Sequence, residues 1–359
     1  MALSNGGIIG TDNDPTMADK VTTFNSSGTF TPAVSECNLL VVAGAGAGGY
    51  AGGGAGGYRA INPHPLPGSA VPVTVGAGGA SISPMGKFTE PGVPSPAATF
   101  LPNPGSDSVF ASATPITSDG GGGGGTMYMG TSQATWNSYI TKTFSGGSGG
   151  GGSDCQVGGA GNTPPVSPSQ GNPGGDGPYP GYATPSNVPS ISGPSVNGAT
   201  AGGGGSSAAA ADVASPGARG GAGTAGGAGT PNTISGSDVT YAGGGGGSSE
   251  NQVAPHVAGA GGAGGGGQGG VASGYANGPP LGGDPSPNPE GAPYGAGTAG
   301  TANTGGGGGG TSVSFGSAQP SGAGGSGIVI VSEPNGSWTA SGVWTMYDQY
   351  TYKTDGLWR

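Results

Sequence analysis

The chain has 359 residues, of which 91 are Gly and 33 are Pro, about 35% together, well outside ordinary globular composition. Only 7% of its side chains are charged and its net charge is −10, which excludes the usual disordered chain kept soluble by charge. Seven Lys and Arg scattered singly cannot follow a phosphate backbone, so nucleic acid and anionic membrane surfaces are not expected as partners.

The opening Met1–Gly10 shows no basic n-region and no apolar h-region of a secretory signal. No stretch approaches the roughly 18 apolar residues of a membrane-spanning helix. Residues 1–20 form a polar lead, read as an attachment segment. The best strand signals lie over 21–119. Val21-Thr-Thr-Phe and Thr29-Phe-Thr flank Asn25-Ser-Ser-Gly and predict a hairpin. Asn38-Leu-Leu-Val-Val-Ala is a continuous apolar run that fits a buried strand, and Ala70-Val-Pro-Val-Thr-Val alternates. Asp107-Ser-Val-Phe and Pro115-Ile-Thr complete the set, all with the β-branched and aromatic side chains a pleated surface favours.

From 120 to 327 the composition shifts to Gly runs separated by polar, Pro-bearing loops. The runs are Gly120–Gly125, Gly149–Gly152, Gly202–Gly205, Gly243–Gly247, Gly264–Gly267 and Gly305–Gly310. Helix is not expected, because Gly costs about 1 kcal/mol and Pro about 3 kcal/mol per helical position. A three-residue-per-turn extended helix leaves its N–H and C=O groups pointing outward, and Gly alone lacks the Cβ that blocks a close neighbour. Several such runs side by side can exchange these bonds, whereas one run alone cannot recover an entropic cost of about 1–2 kcal/mol per residue. Runs of similar length therefore predict a polyglycine II bundle rather than a linker. The last strand is Gly327-Ile-Val-Ile-Val-Ser, and 328–359 ends in an aromatic tail.

Motifs that suggest chemistry lack their context. Gly44-Ala-Gly46-Ala-Gly-Gly49 follows a strand like a dinucleotide fingerprint, but a second Gly-rich stretch replaces the helix that would hold the pyrophosphate. Gly146-Gly-Ser148-Gly-Gly150 matches a nucleophile elbow without its strand and helix. His64 and His256 stand beside prolines, and no carboxylate pair or metal-ligand spacing occurs. No catalytic residue, metal or cofactor is expected. Cys37 and Cys155 are read as two reduced thiols, with a disulfide between them as the alternative.

What rises above chance is aromatic. Tyr128, Trp136 and Tyr139 share one loop between runs, Tyr179 and Tyr182 another, and Tyr275 and Tyr294 a third. Isolated rings among Ser, Asn and Gly make an amphipathic contact surface, so these are candidate receptor contacts. Packing on the bundle's flank is the alternative. In the tail, Trp344, Tyr347, Tyr350 and Trp358 concentrate ring area suited to anchoring on a partner.

Thr22-Thr-Phe-Asn-Ser-Ser-Gly-Thr-Phe-Thr, Leu39-Leu-Val-Val-Ala-Gly, Val73-Thr-Val-Gly-Ala-Gly-Gly, Asp107-Ser-Val-Phe, Ile116-Thr-Ser-Asp-Gly-Gly and Gly325-Ser-Gly-Ile-Val-Ile-Val, in this order, resemble the Gly-rich domain of tailed-bacteriophage fibre and adhesin proteins. Gly6-Gly-Ile-Ile-Gly with Asn13 and Pro15, and Ala340-Ser-Gly-Val-Trp-Thr-Met-Tyr-Asp-Gln-Tyr, resemble two halves of a short module of phage structural proteins.

The resemblance implies an all-β fold, with a small β-sandwich or jelly-roll-like part carrying the polyglycine II bundle. It implies a non-enzymatic virion surface protein, assembled in the host cytoplasm. The expected role is a tail fibre or fibre tip that meets a host glycan or outer-membrane protein. A capsid-attached fibre or cement protein is the alternative. Other tail or capsid proteins are expected partners. A homotrimer is also expected, because a chain with so little apolar surface gains by sharing it.

Overall fold

A computed structural model describes residues 19–82, 103–125, 144–153, 156–178, 199–213, 222–249, 257–271, 295–312 and 319–334. The fold is all-β, and no helix occurs among the described residues. Ten strands form among the described residues: β1 (Lys20–Phe24), β2 (Gly28–Phe30), β3 (Glu36–Val42), β4 (Tyr58–Pro65), β5 (Val71–Thr74), β6 (Ser108–Phe110), β7 (Ile116–Ser118), β8 (Thr230–Asn232), β9 (Val239–Tyr241) and β10 (Ile328–Glu333). One four-stranded antiparallel sheet has the order β1-β10-β3-β4 and a second the order β2-β5-β6-β7, while β8 and β9 pair separately.

The apolar run of β3 is continuous because both of its faces are covered. Leu39 and Val41 meet Val329 and Val331 of β10 and, across the sandwich, Phe30, Val71, Val73 and Phe110. On the other face Leu40 and Val42 join Ile328, Ile330, Ala55, Tyr241 and Ala242, with Ile234 and Val239 of the β8–β9 hairpin packed alongside. The core therefore has three layers.

The expected hairpin over 21–31 does not form. β1 joins β10 and β2 joins β5, so Asn25-Ser-Ser carries the chain from one sheet to the other. Phe24 and Phe30 stay in edge-to-face contact across the gap, their centroids 6.5 Å apart. Two features escape the sequence pattern. β4 contains Pro63 and Pro65, which read as loop, and the strand survives because it lies at the edge of its sheet. The β8–β9 hairpin surrounds a polar loop, with Pro231 inside β8.

Eight of the ten strands run directly into, or out of, an extended Gly-rich segment, and these segments pack side by side. The stretch 51–57 displays the rule. Ala51, Gly54 and Gly57 donate to Gly125, Gly122 and Asp119; Gly52 and Ala55 to Ala201 and Gly204; Gly53 and Gly56 to Gly308 and Gly305, all at 2.8–3.1 Å. Donors three residues apart reach the same neighbour, as three residues per turn require. The carbonyls of 51–57 accept from three further segments, through Gly49, Gly46 and Ala43, through Gly151 and Ser148, and through Gly245. One extended chain thus has six bonded neighbours. Segments 43–49, 242–249 and 305–312 repeat the pattern. The Gly runs are ordered and laterally bonded.

Glycine is required where a segment is surrounded. A Cβ on Gly52 would lie 2.1 Å from the Gly245 carbonyl oxygen, one on Gly245 2.0 Å from that of Gly308, and one on Gly307 2.1 Å from that of Gly53. In 43–48, a Cβ on Gly44, Gly46 or Gly48 meets a neighbouring carbonyl oxygen at 2.0–2.1 Å, whereas Ala43, Ala45 and Ala47 fit, fully buried. At the periphery a side chain returns on every third residue, the one that faces out. Ala222, Ala225 and Ala228 are exposed, as are Val257, Ala260 and Ala263, and Val157 and Ala160. One expected run departs from the lattice rule. Gly264 and Gly265 have φ of 100° and 92°, so Gly264–Gly267 opens with a turn and only then becomes extended.

Candidate functional site

The lattice has two unlike ends. At one end its segments continue into the strands: 43–49 leaves β3, 51–57 enters β4, 242–249 leaves β9 and 320–327 enters β10. At the other end the segments stop in a common layer. Tyr50 N–H donates to Gly125 O at 2.8 Å, Gly125 N–H to Gly151 O at 2.8 Å, Thr200 N–H to Ser248 O at 3.0 Å and Gly270 N–H to Gly310 O at 2.8 Å. Ser249 bridges to both Ala199 and Val271, and Ser312 N–H donates to Gly295 O at 2.7 Å.

Hydroxyl side chains complete this layer where the lattice runs out of backbone partners. Thr200 Oγ1 donates to the Tyr50 carbonyl at 2.8 Å and accepts from Ser248 N–H at 2.8 Å. Thr311 Oγ1 donates to Gly295 O at 2.7 Å, and Ser321 Oγ accepts from Ile82 N–H at 3.2 Å. Thr200, Thr311 and Ser321 are all buried. A short hydroxyl on the terminal residue does for this helix what an N-cap does for an α-helix. Ser or Thr beside a Gly run is a signal that could have located this layer from sequence.

None of the sequence-derived contact residues lies in the described part of the chain. Tyr128, Trp136, Tyr139, Tyr179, Tyr182, Tyr275 and Tyr294 fall outside it, and so do Trp344, Tyr347, Tyr350 and Trp358. What the structure does place are the residues flanking the three aromatic tracts. Gly125 precedes 126–143, and Phe144 O, just after it, accepts from Gly150 N–H at 2.9 Å, within about one turn of the layer. Gly177, just ahead of 179–198, donates to Gln156 O, and Ala199 follows that tract; Val271 and Gly295 flank 272–294. All three tracts leave and rejoin the lattice at the end opposite the sandwich.

The sandwich end holds polar side chains, among them Gln170, Asp119 and Asp107, which sequence reasoning missed. Gln170 is fully buried and grips Asp119 twice: its Oε1 accepts from the Asp119 N–H at 2.9 Å and its Nε2 donates to Asp119 Oδ2 at 2.6 Å. Burial raises the Asp119 pKa, the Gln170 bond opposes this, Asp107 raises it further and Arg59 lowers it. Asp107 Oδ1 is occupied by Gly120 N–H at 2.8 Å. These carboxylates fasten segments together. His64 is buried edge-on against Phe110, with Nε2 2.9 Å from Ser112 Oγ. That hydroxyl donates to Thr114 O, so it accepts from the His64 N–H. Cys37 is a free, buried thiol whose pKa is pushed up to about 12, by burial first and then by Glu333.

Ser148, in the elbow-like motif, is buried inside the lattice at the end of a bend over 146–148, with neither a strand before it nor a helix after it. Among the described residues, no three His, Cys, Asp or Glu stand close enough to hold a metal, and no helix is long and apolar enough to cross a membrane. The geometry offers a rigid platform that gathers loop ends at one face.

No curated protein matches the sequence at a significant level. A family model described as a glycine-rich domain matches residues 22–333, from the middle of β1 to the last residue of β10, and the chain belongs to that family.

Proposed function

We propose that the chain is a structural protein of a bacteriophage virion, a tail fibre or fibre tip that takes part in attachment to the host surface. The observation that carries this reading is the shared exit of the three aromatic tracts at one lattice end, while Lys20 and Glu333 lie together at the far end of the sandwich. A receptor-binding tip needs contact loops held on a stiff support, and a support bonded to six neighbours per chain loses little entropy when a ligand arrives. In this reading Tyr128, Trp136, Tyr139, Tyr179, Tyr182, Tyr275 and Tyr294 meet a host glycan or outer-membrane protein. Trp344, Tyr347, Tyr350 and Trp358 hold the chain to other tail or capsid proteins.

A cryo-electron map of the particle tests the proposal. Density for the lattice at the end of the tail, sandwich towards the particle, is the expected result. Density spread over the capsid lattice would transfer the chain to a head-fibre or cement role, and a particle lacking it would end both readings.

A further inference from the structure

We propose that β10 and the segment 320–327 that feeds it form a load-bearing strap, which carries tension between the two ends of the molecule and resists it far better along its own length than across the Lys20–Glu333 corner. From 320 to 333 the chain is one extended run that starts at the terminal layer, where Ser321 lies, and leaves the sandwich at its far corner. It is bonded all the way. The Gly322, Gly324 and Gly327 N–H groups donate to Gly309, Gly79 and Gly76 at 2.9 Å, and the Gly322 and Gly325 carbonyls accept from Gly48 and Ala45 at 2.9 and 3.0 Å. β10 then has a strand on each side, pairing Val329–Glu333 with β1 and Ile328–Ser332 with β3, and all six of its residues are buried.

Direction decides how these bonds meet a load. The bonds of an antiparallel sheet run perpendicular to its strands, and those of the lattice run sideways between extended segments. A pull along the strap therefore shears many bonds at once. Each contributes only modestly to stability, but here they must break together. β3 and its extension 43–49 run alongside, so the load spreads to a second continuous run. At the junction the buried Ser108 hydroxyl accepts from Gly76 N–H at 2.9 Å and donates to Val42 O at 2.8 Å, which ties the second sheet to both runs. A pull between 18 and 334 acts differently. Lys20 and Glu333 are register partners at one end of the β1–β10 ladder, so its pairs open one after another, beginning there. Forced unfolding follows the barrier rather than the equilibrium stability, so one chain has two strengths. The inference concerns the fold's response to load and holds whether or not the chain attaches to a host.

The test is single-molecule force spectroscopy on the full chain with Cys155→Ser, which leaves the buried Cys37 as the one native thiol. One variant is pulled between Val257→Cys, exposed beside the terminal layer, and Pro334→Cys; the other between Ala18→Cys and Pro334→Cys. A severalfold higher unfolding force is expected for the first pair. Lys20→Ala is expected to lower the force for the second pair and to leave that for the first nearly unchanged. Equal forces in the two directions, or a Lys20→Ala effect of the same size in both, overturn the proposal. Melting curves confirm that each variant is folded, and Ala260→Cys, on the same exposed row, replaces Val257→Cys should that chain not fold.

Discussion

Lys20 and Glu333 stand 313 residues apart in sequence and form an ion pair of 3.0 Å. They are also register partners, at the outer ends of β1 and β10. Glu333 is only 2% exposed, and its second oxygen accepts from the Ala33 N–H at 2.6 Å. This carboxylate ties the first strand, the start of the β2–β3 connection and the last strand into one corner. Both ends of the described chain leave from that corner, and the whole lattice lies on the other side of the sandwich.

Replacing Glu333→Gln should therefore destabilise the chain by about 1–3 kcal/mol, since a buried charge-assisted network loses its charge. Burial alone would raise the Glu333 pKa, but the Ala33 and Val34 N–H groups and the Lys20 ammonium more than offset it, and the carboxyl sits below its ordinary 4.5. Its contribution is complete above that value and is lost as pH falls through the lower, folded one. Urea midpoints of the wild-type chain should drop steeply below about pH 4.5, with a shallower drop in the variant. Equal slopes would show that the corner does not matter.

A second pH window belongs to His64. Burial lowers its pKa from 6.5, so the folded protein keeps the imidazole neutral where the unfolded chain takes up a proton. Stability should be full above pH 6.5 and decline as pH falls below it, before Glu333 begins to titrate. His64→Gln keeps a group that can bond Ser112 and should flatten the curve between these two windows. A variant whose slope there matches the wild type contradicts this assignment.

The lattice predicts a contrast between an enclosed and an exposed position. Gly245→Ala drives a Cβ to 2.0 Å from the Gly308 carbonyl, where backbone rather than a flexible side chain must move. A loss of about 3 kcal/mol or more is expected. Ala225→Ser, on the exposed row of its segment, should change stability by less than about 0.5 kcal/mol. Thermal denaturation of the two variants decides it, and similar melting temperatures would mean that Gly243–Gly247 is not enclosed as described.

Cys37 should be inert. With 1% exposure and a thiol pKa of about 12, it carries almost no thiolate at neutral pH. Iodoacetamide at pH 8 should label at most Cys155 in the native chain and both cysteines in denaturant. Labelling of Cys37 without denaturant would show that the sandwich opens on the timescale of the reaction.

Removing 338–359 separates anchoring from folding. In the attachment reading the truncated chain keeps its melting temperature and fails to enter particles. An unfolded product would assign the tail's rings to the core instead.

The amino-acid sequence alone determined the all-β class, because Gly and Pro remove the helix and the apolar runs at 38–43, 70–75 and 327–332 are too short for anything but strands. It also marked the later part of the lattice, within 120–327, by its Gly runs, but not 43–57, which lies in the stretch read as β-rich and is enclosed on all sides. It did not determine which strands pair. Val21–Phe24 and Thr29–Thr31 have the local signature of a hairpin, yet they lie in different sheets, because Phe24 and Phe30 gain more by facing each other across the core. Nor did it reveal β4, whose prolines are tolerable only at an edge, a property of its place in the sheet.

Above all, it did not say which runs are enclosed. Gly243–Gly247 and Gly264–Gly267 look alike in sequence, but one has six bonded neighbours and the other begins as a turn at the surface. A Gly run has the same local preferences in a linker and in a lattice. The difference lies in hydrogen bonds made between segments tens to hundreds of residues apart, and these repay the entropy of ordering only when every neighbour is in place.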